Sequence, residues 1–333
     1  MPRKVTHLII DTDPGCDDCH AVTHLLTFCD VIAITTVFGN DTQLHTSLNT
    51  CRILEMLGRV DVPVYTGARC SLQSAGDYIR DPDLSNYHGG DGLGDKQDDI
   101  PVIVNKQPEL HVSAPDAIVN LARKYPGEVT IAALGPLTNV AMATRLCPEL
   151  PTLIKSLYIM GGCSEFGNTT PWAEFNFHCD PLAAHLTVRQ FAKSGVVHMV
   201  PWEPCMDRDN TLPFTQYDSL FEGSGSSPAK TLLKATGMNK WLKKRRAANE
   251  ENGLGYGFAD QFVSLLLVYP ESGLEREHYE TLQVLCLDEG EERGGMVEYL
   301  QGDVSGGQER GLFVYRKFDM GCMIDLYKKC MAS

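Results

Sequence analysis

The first 200 residues alternate short apolar runs with longer amphipathic ones. Residues 5–10 (VTHLII), 31–37 (VIAITTV), 62–65 (VPVY), 129–134, 154–160 and 196–200 are apolar, partly β-branched runs of strand length. Between them, residues 17–28, 43–58, 114–125, 137–145 and 180–194 carry helical spacing, the second closed by Gly58. Strands alternating with helices predict a mostly parallel sheet with right-handed crossovers. Beyond Trp202 the pattern turns more helical, with an apolar helix over 258–269 and a late strand over 311–316. Residues 66–112 are rich in Gly, Asp and Pro and read as long loops, a length that usually marks function. Residues 223–228 read as a mobile loop and 240–246 (KWLKKRR) as the solvated face of a helix. No linker divides the chain. The expectation is a single open α/β domain over residues 1–333, its mostly parallel β-sheet flanked by helices.

Ligands of open α/β sheets bind beyond the carboxyl ends of the strands. Those ends read Asp11/Asp13, then Gly39-Asn40-Asp41, Leu134-Gly135-Pro136, Met160-Gly161-Gly162 and Trp202-Glu203. Polar groups and glycines recur there, so the acidic stretch after the first strand, DTDPGCDDCHA over 11–21, has company.

Composition narrows the partners. With 29 basic and 43 acidic residues the net charge is −14, which disfavours nucleic acid and anionic membrane. Residues 1–11 carry no apolar leader pattern, and no apolar run reaches membrane-spanning length. Twelve cysteines without a scaffold rhythm then predict reduced thiols and a cytoplasmic protein.

Four aspartates within 11–18 repel one another unless something compensates. Asp17 and Asp18 could simply favour a helix N-terminus, at about 0.3–1 kcal/mol each. Capping leaves Asp11 and Asp13 unexplained, whereas a hard divalent cation would gather several carboxylate oxygens at one strand end. Cys16-Asp17-Asp18-Cys19 has redox spacing, but flanking carboxylates disfavour its thiolate. No second Cys or His pair stands at zinc-site spacing. Asp11-x-Asp13 matches the start of haloacid-dehalogenase-like phosphatases, except that Gly15 stands where they carry Thr or Val. An EF-hand lacks its terminal Glu here.

In context, Asp11-Thr12-Asp13-Pro14-Gly15-Cys16-Asp17-Asp18 resembles the signature of the nucleoside hydrolases, the inosine-uridine preferring nucleoside N-ribohydrolases. Residues 33–40 (AITTVFGN), 135–139 (GPLTN), 160–162 (MGG) and 173–181 (AEFNFHCDP) match the same family in order. The resemblance covers at least residues 5–270. It implies one open α/β domain, Ca²⁺ dependence, homodimers or homotetramers, and hydrolysis of the N-glycosidic bond of ribonucleosides. It also implies roles. Asp13, Asp18, the main-chain oxygen of Leu134 and Asp260 would hold Ca²⁺, with Asp13 also the general base for water. Asp17, Asn40 and Asn176 would hold the ribose 2′- and 3′-hydroxyls. Asn168 and Glu174 would lie on the 3′- and 5′-hydroxyl side, with Met160 and Phe175 packed on the sugar. His88 would stand on a loop near the base. Such a hydroxyl-reading set would reject 2′-deoxyribose, because buried polar groups would lose their partners.

The chain departs from the family where the leaving base is protonated. Many members carry His before the aspartate matching Asp260; here that residue is Ala259, and Gln261 replaces the Pro that often follows. Trp172, Trp202 and Trp241 do not match the base-sandwiching pattern of purine-specific members. The variable position of the aspartate motif is Cys16, as in a subset of the family. Cys16 and Cys205 are therefore candidate catalytic thiols, with Tyr256 and His88 as rival acids or base contacts. The alternatives are a ribose-binding or regulatory homologue without hydrolysis, kept open by Ala259, and a metal-dependent phosphatase.

Overall fold

The protein is described here from a computed structural model over residues 5–74, 76, 78, 85–96, 98–101, 105–223, 225–279, 281–284, 290–299 and 311–333. Parts of the expected 66–112 loops and of the 223–228 loop lie outside the described residues. The first half runs β1 (Leu8–Thr12), α1 (Cys16–Phe28), β2 (Val31–Thr36), α2 (Gln43–Met56), β3 (Val64–Thr66) and a single turn α3 (Ser85–His88). There follow α4 (Ala114–Lys124), β4 (Thr130–Ala133), α5 (Thr138–Leu146), α6 (Leu150–Leu153) and β5 (Ser156–Met160). Then come α7 (Phe175–Cys179), α8 (Pro181–Ser194), β6 (Val196–Val200), α9 (Phe214–Ser219), α10 (Pro228–Gly237) and α11 (Lys240–Glu251). The remainder is α12 (Asp260–Val268), β7 (Gly273–Tyr279), β8 (Thr281–Val284), β9 (Met296–Tyr299), β10 (Gly311–Phe318) and α13 (Met320–Ala332).

One eight-stranded sheet has the order β3-β2-β1-β4-β5-β6-β10-β7, and β8 pairs with β9 apart from it. Every pairing in the large sheet is parallel except β10 with β7. The mostly parallel α/β fold expected from the pattern is therefore present. Parallel strands are buried on both faces, and β1 shows how. Leu8 and Ile10 pack into a core with α1, α10, α12 and α13, while Ile9 faces a second core with α4, α5 and α8. All three are fully buried, worth about 1.5–3 kcal/mol each.

Several boundaries differ from expectation. The first strand begins at Leu8 and runs to Thr12, so Asp11 lies inside the ladder, in register with Thr35 and Ala133. The strand expected over 154–160 starts at Ser156, because α6 takes up Leu150–Leu153 and the Ile154 N–H closes on the Leu150 carbonyl. Helix α2 stops at Met56 before the left-handed Gly58. No described helix is long and apolar enough to cross a membrane.

The chain winds outward one way through β2 and β3 and the other way from β4. The reversal falls between β1 and β4, and their carboxyl ends frame a crevice of the kind where such sheets bind ligands.

Candidate active site

Strand β1 delivers Asp13 into that crevice, and Pro14-Gly15 turns the chain into α1. Glycines give Asp13 its space. A Cβ on Gly39 would stand 2.0 Å from its carboxylate, and one on Gly135 2.3 Å away. Asp13 Oδ2 accepts the Asn40 N–H at 2.7 Å, whereas Oδ1 is buried without a hydrogen-bond partner. Asp18 is fully engaged: Oδ1 accepts from Thr12 Oγ1 (2.5 Å), and Oδ2 from the Gly15 N–H and the Asn40 side-chain amide, both at 3.0 Å. Asp260 opens α12 from the far side of the crevice and is 3% exposed.

Carboxylate oxygens of Asp17, Asp18 and Asp260 lie within 4.8 Å of one another. Burial and then the Asp18 charge hold the Asp13 carboxyl well above the usual carboxylate range. Burial and Asp17 raise Asp18 to about 6. Asp260 is pushed well up by burial and by the charges of Asp18, Asp17 and Asp13. Like charges this close and dry require a counter-charge. The donors are all hard oxygens; Asp13 Oδ1 and Asp17 Oδ1 are buried atoms without a hydrogen-bond partner, Asp17 Oδ1 lying 3.8 Å from His88 Nδ1. This set fits a hard divalent cation such as Ca²⁺. Asp11 stands apart: it accepts from Thr35 Oγ1 (2.6 Å) and Asn139 Nδ2 (2.8 Å) and is raised to about 6 by burial. It lies inside the β1 ladder, held by Thr35 and Asn139, whereas Asp13 stands beyond the strand's last residue, Thr12, where the chain turns into α1.

A cavity of about 320 Å³ opens from the acidic cluster. It is lined by thirteen of the site residues expected from the sequence: Cys16, Asp17, Asn40, His88, Leu134, Met160, Asn168, Glu174, Phe175, Asn176, Cys205, Tyr256 and Asp260; Asp13 and Asp18 are buried and are not among its lining residues. Asn176 Nδ2 donates to the Leu134 (2.8 Å) and Met160 (3.1 Å) carbonyls, so it bridges the ends of β4 and β5. Glu174 is the cap of α7. One oxygen accepts the Asn176 N–H, the other the Gly162 and Phe177 N–H groups. It is 1% exposed, and burial raises it to about 7. Asn168 is exposed and accepts the Phe175 N–H at 2.9 Å.

His88 reaches the cavity from α3. Its Nδ1 accepts the Cys16 N–H at 3.0 Å and lies 3.8 Å from Asp17. A backbone N–H can only donate, so this bond places the ring proton of the neutral imidazole on Nε2. The absence of a Cβ on Gly15 permits the approach, since one would stand 2.7 Å from His88 Nδ1. Cys16 and Cys205 are buried, and burial pushes both thiols well above the ordinary range. Tyr256 is stacked on Tyr217 with centroids 3.6 Å apart, and burial raises its phenol too.

Asn239, Tyr87 and Arg245 also line the cavity and were not singled out from the sequence as site residues. Asn239 caps α11 through the Leu242 N–H (2.9 Å) and donates to the Cys16 sulfur; an Asn before a charged helical run was the available signal. Trp202 follows β6 into the cavity, and Tyr87 precedes His88. Arg245 adds to the solvated-face reading of 240–246: it is exposed, as expected, yet it borders the cavity. The helix is there, and this guanidinium stands 4.7 Å from the Tyr87 ring.

The family model for inosine-uridine preferring nucleoside hydrolases matches residues 8–323. The chain belongs to that family. A probable uridine nucleosidase 2 of Oryza sativa subsp. japonica is 35% identical over 202 residues, 59% of this chain and 57% of that protein. The inosine-uridine preferring nucleoside hydrolase of Leishmania major is 35% identical over 208 residues, 60% of each. The matched region thus spans little more than half the length of these curated relatives. Among solved structures, a plant nucleoside hydrolase, the PpNRh1 enzyme, superposes with a TM-score of 0.83 at 26% identity, over 99% of this chain and 100% of that one. A purine-preferring ribonucleoside hydrolase from Gardnerella vaginalis gives 0.81 at 25% identity over 98% of each. In this member of the nucleoside hydrolase family, Ala259 caps α12 without a side-chain hydrogen bond, and its N–H is taken by Gln261 Oε1 at 2.9 Å.

Proposed function

We propose that this chain hydrolyses the N-glycosidic bond of ribonucleosides to ribose and free base, with Ca²⁺ as its resident cofactor. The observation that carries the reading is Asp13 Oδ1, a buried carboxylate oxygen without a partner, held between two obligatory glycines beside Asp17, Asp18 and Asp260. Family membership and the nucleosidase names of the relatives support the bond that is cut.

When bound, the cation would polarise the attacking water and a sugar diol; Asp13, Asp18, Asp260 and the Leu134 carbonyl are the groups that would hold it. Asp13 takes the proton of the attacking water through the oxygen left free by Asn40. Its raised affinity for a proton suits a base that is drawn to the ionised form by a neighbouring positive charge. Asp17, Asn40 and Asn176 read the 2′- and 3′-hydroxyls, and Glu174 and Asn168 bound the other side of the sugar. Met160 and Phe175 pack against the ring and exclude water. As the C1′–N bond breaks, the sugar becomes positively charged, and this wall of carboxylate and amide oxygens stabilises that charge. His88, Tyr256 and the thiols of Cys16 and Cys205 flank the space left for the base. The family resemblance supports a homodimer or homotetramer, and the free thiols among the described residues support a cytoplasmic setting.

The test is release of free base from uridine, inosine and uridine monophosphate, with EDTA and then with Ca²⁺ restored. Release from the nucleosides only, lost with EDTA and recovered with Ca²⁺, is expected. Ribose binding without base release would support the binding-protein alternative, and turnover of the monophosphate alone the phosphatase.

A further inference from the structure

The site as described has a base for water but lacks an obvious acid for the departing nucleobase. Ala259 offers no proton, and its backbone N–H is committed to Gln261. His88 accepts the Cys16 N–H at Nδ1, which leaves the Nε2–H of a neutral ring; that N–H can hydrogen-bond a base but gives up its proton far less readily than an imidazolium does. The Cys16 thiol faces the His88 and Gly92 carbonyls, the Cys205 thiol faces the Pro201 carbonyl, and the Tyr256 ring is stacked on Tyr217. Expelled without help, a nucleobase leaves as an anion, its charge spread over ring nitrogen and carbonyl oxygen.

Among the described lining residues, Arg245 is the one Lys or Arg side chain. It comes from α11, lies over Tyr87 of α3, and has no carboxylate within ion-pair distance among the described residues. Stacking on an aromatic face fixes the plane of a guanidinium while leaving its N–H fork available. The strand ends hold the sugar-reading carboxylates and amides, so the wall formed by α3 and α11 is left for the base. Asn239 fixes that wall, because one side chain caps α11 and binds the Cys16 sulfur.

We propose that Arg245 is the leaving-group electrophile of the reaction proposed above: its guanidinium, held on the Tyr87 ring, stabilises the departing nucleobase as an anion. The inference rests on the hydrolase reading. The C1′–N bond breaks with both electrons going to the base, and the water oxygen bonds to C1′. The water proton passes to Asp13 and then to solvent. Arg245 keeps its own protons and hydrogen-bonds the anion, which takes a proton from solvent on release.

The experiment compares uridine with p-nitrophenyl β-D-ribofuranoside, whose phenolate leaves readily without such help, in wild type, Arg245→Gln, Arg245→Lys and Tyr87→Leu. Arg245→Gln is expected to lower kcat on uridine by about 10²–10³, and on the aryl riboside by at least about thirtyfold less. Arg245→Lys should recover about tenfold over Arg245→Gln on uridine, and Tyr87→Leu should show a smaller loss with the same selectivity. Equal losses on both substrates, no loss on uridine, or no recovery with Lys overturns the proposal. Any of those outcomes with a wild type that cleaves uridine overturns it alone, whereas a wild type that cleaves the aryl riboside but no nucleoside removes both readings. Wild type inactive on both substrates removes the hydrolase reading and this inference together.

Discussion

The Asn239 side-chain amide donates to the Cys16 sulfur at 3.5 Å, tying the first turn of α1 to the cap of α11. Cys16→Ala deletes that acceptor and should lower kcat on uridine and inosine about tenfold. An unchanged kcat in the Ala and Ser variants would remove Cys16 from the reaction. Burial and Asp17 keep the thiol protonated, so iodoacetamide at pH 8 should label the half-exposed Cys70 well before Cys16.

Asp13→Asn should reduce base release by about 10²–10⁴, the usual worth of a positioned base. The metal-free variant should melt no lower than wild type, because a buried carboxylate under repulsion from Asp18 has been replaced by a neutral group of the same shape. A large drop in melting temperature would mean that Asp13 is chiefly structural.

Adding a Cβ beside that carboxylate is a separate probe of the cradle. Gly135→Ala should cost about 1–3 kcal/mol of stability or displace Asp13, with activity falling in either case. Wild-type melting and wild-type kcat together would show that the crevice has more room than these distances allow.

Binding of the cation should release protons. Without it, Asp13 and Asp260 titrate well above the normal carboxylate range and Asp18 near 6, so at mildly acidic pH part of the cluster is protonated. Calorimetry at pH 6 in buffers of different ionisation enthalpy should report proton release, with affinity rising from pH 6 to 8. Buffer-independent heats at pH 6 would contradict the raised carboxyls.

Acid stability should depend on His198, stacked on Tyr158 and lowered to about 4 by burial. Its unfolded form takes a proton near 6.5, so its contribution is complete above that pH. It is lost as pH falls toward 4, at up to about 1.4 kcal/mol per pH unit. Glu174, raised to about 7, acts in the opposite sense between 4.5 and 7 and is common to both proteins. His198→Gln should therefore lose less stability than wild type between pH 6.5 and 4.5 in urea titrations. Parallel curves would refute the assignment.

Legibility in the sequence followed distance along the chain. Asp13, Asp17, Asp18, Asn40, Leu134 and Met160 each sit at or just beyond the end of a strand whose apolar run is unmistakable, so local pattern placed them at one edge of the sheet. Asp260 and Glu174 needed the family resemblance, because nothing in their local sequence marks them as burying a carboxylate. Arg245 and Tyr87 were illegible, since a basic run is read as solvated until a tertiary neighbour is known, whereas Asn239 had a local signal only for its role as a helix cap. Strand β7, GLEREHY, carries three consecutive charged residues, Glu275, Arg276 and Glu277, and an exposed Leu274, which hides an edge strand. Helix α13 carried a readable signal in the Asp319 cap and in Met323, Leu326, Tyr327 and Cys330 at helical spacing.

The placement of β10 sets an order of events during synthesis. It lies between β6 and β7, both made earlier, and α13 behind it packs on α1, the helix that carries Asp17 and Asp18. Until residues 311–332 leave the ribosome, two strand edges stand open and the helix behind the carboxylates lacks part of its support. A nascent chain would thus hold the residues for catalysis long before it could organise them. Chaperone capture or aggregation should concentrate in that interval.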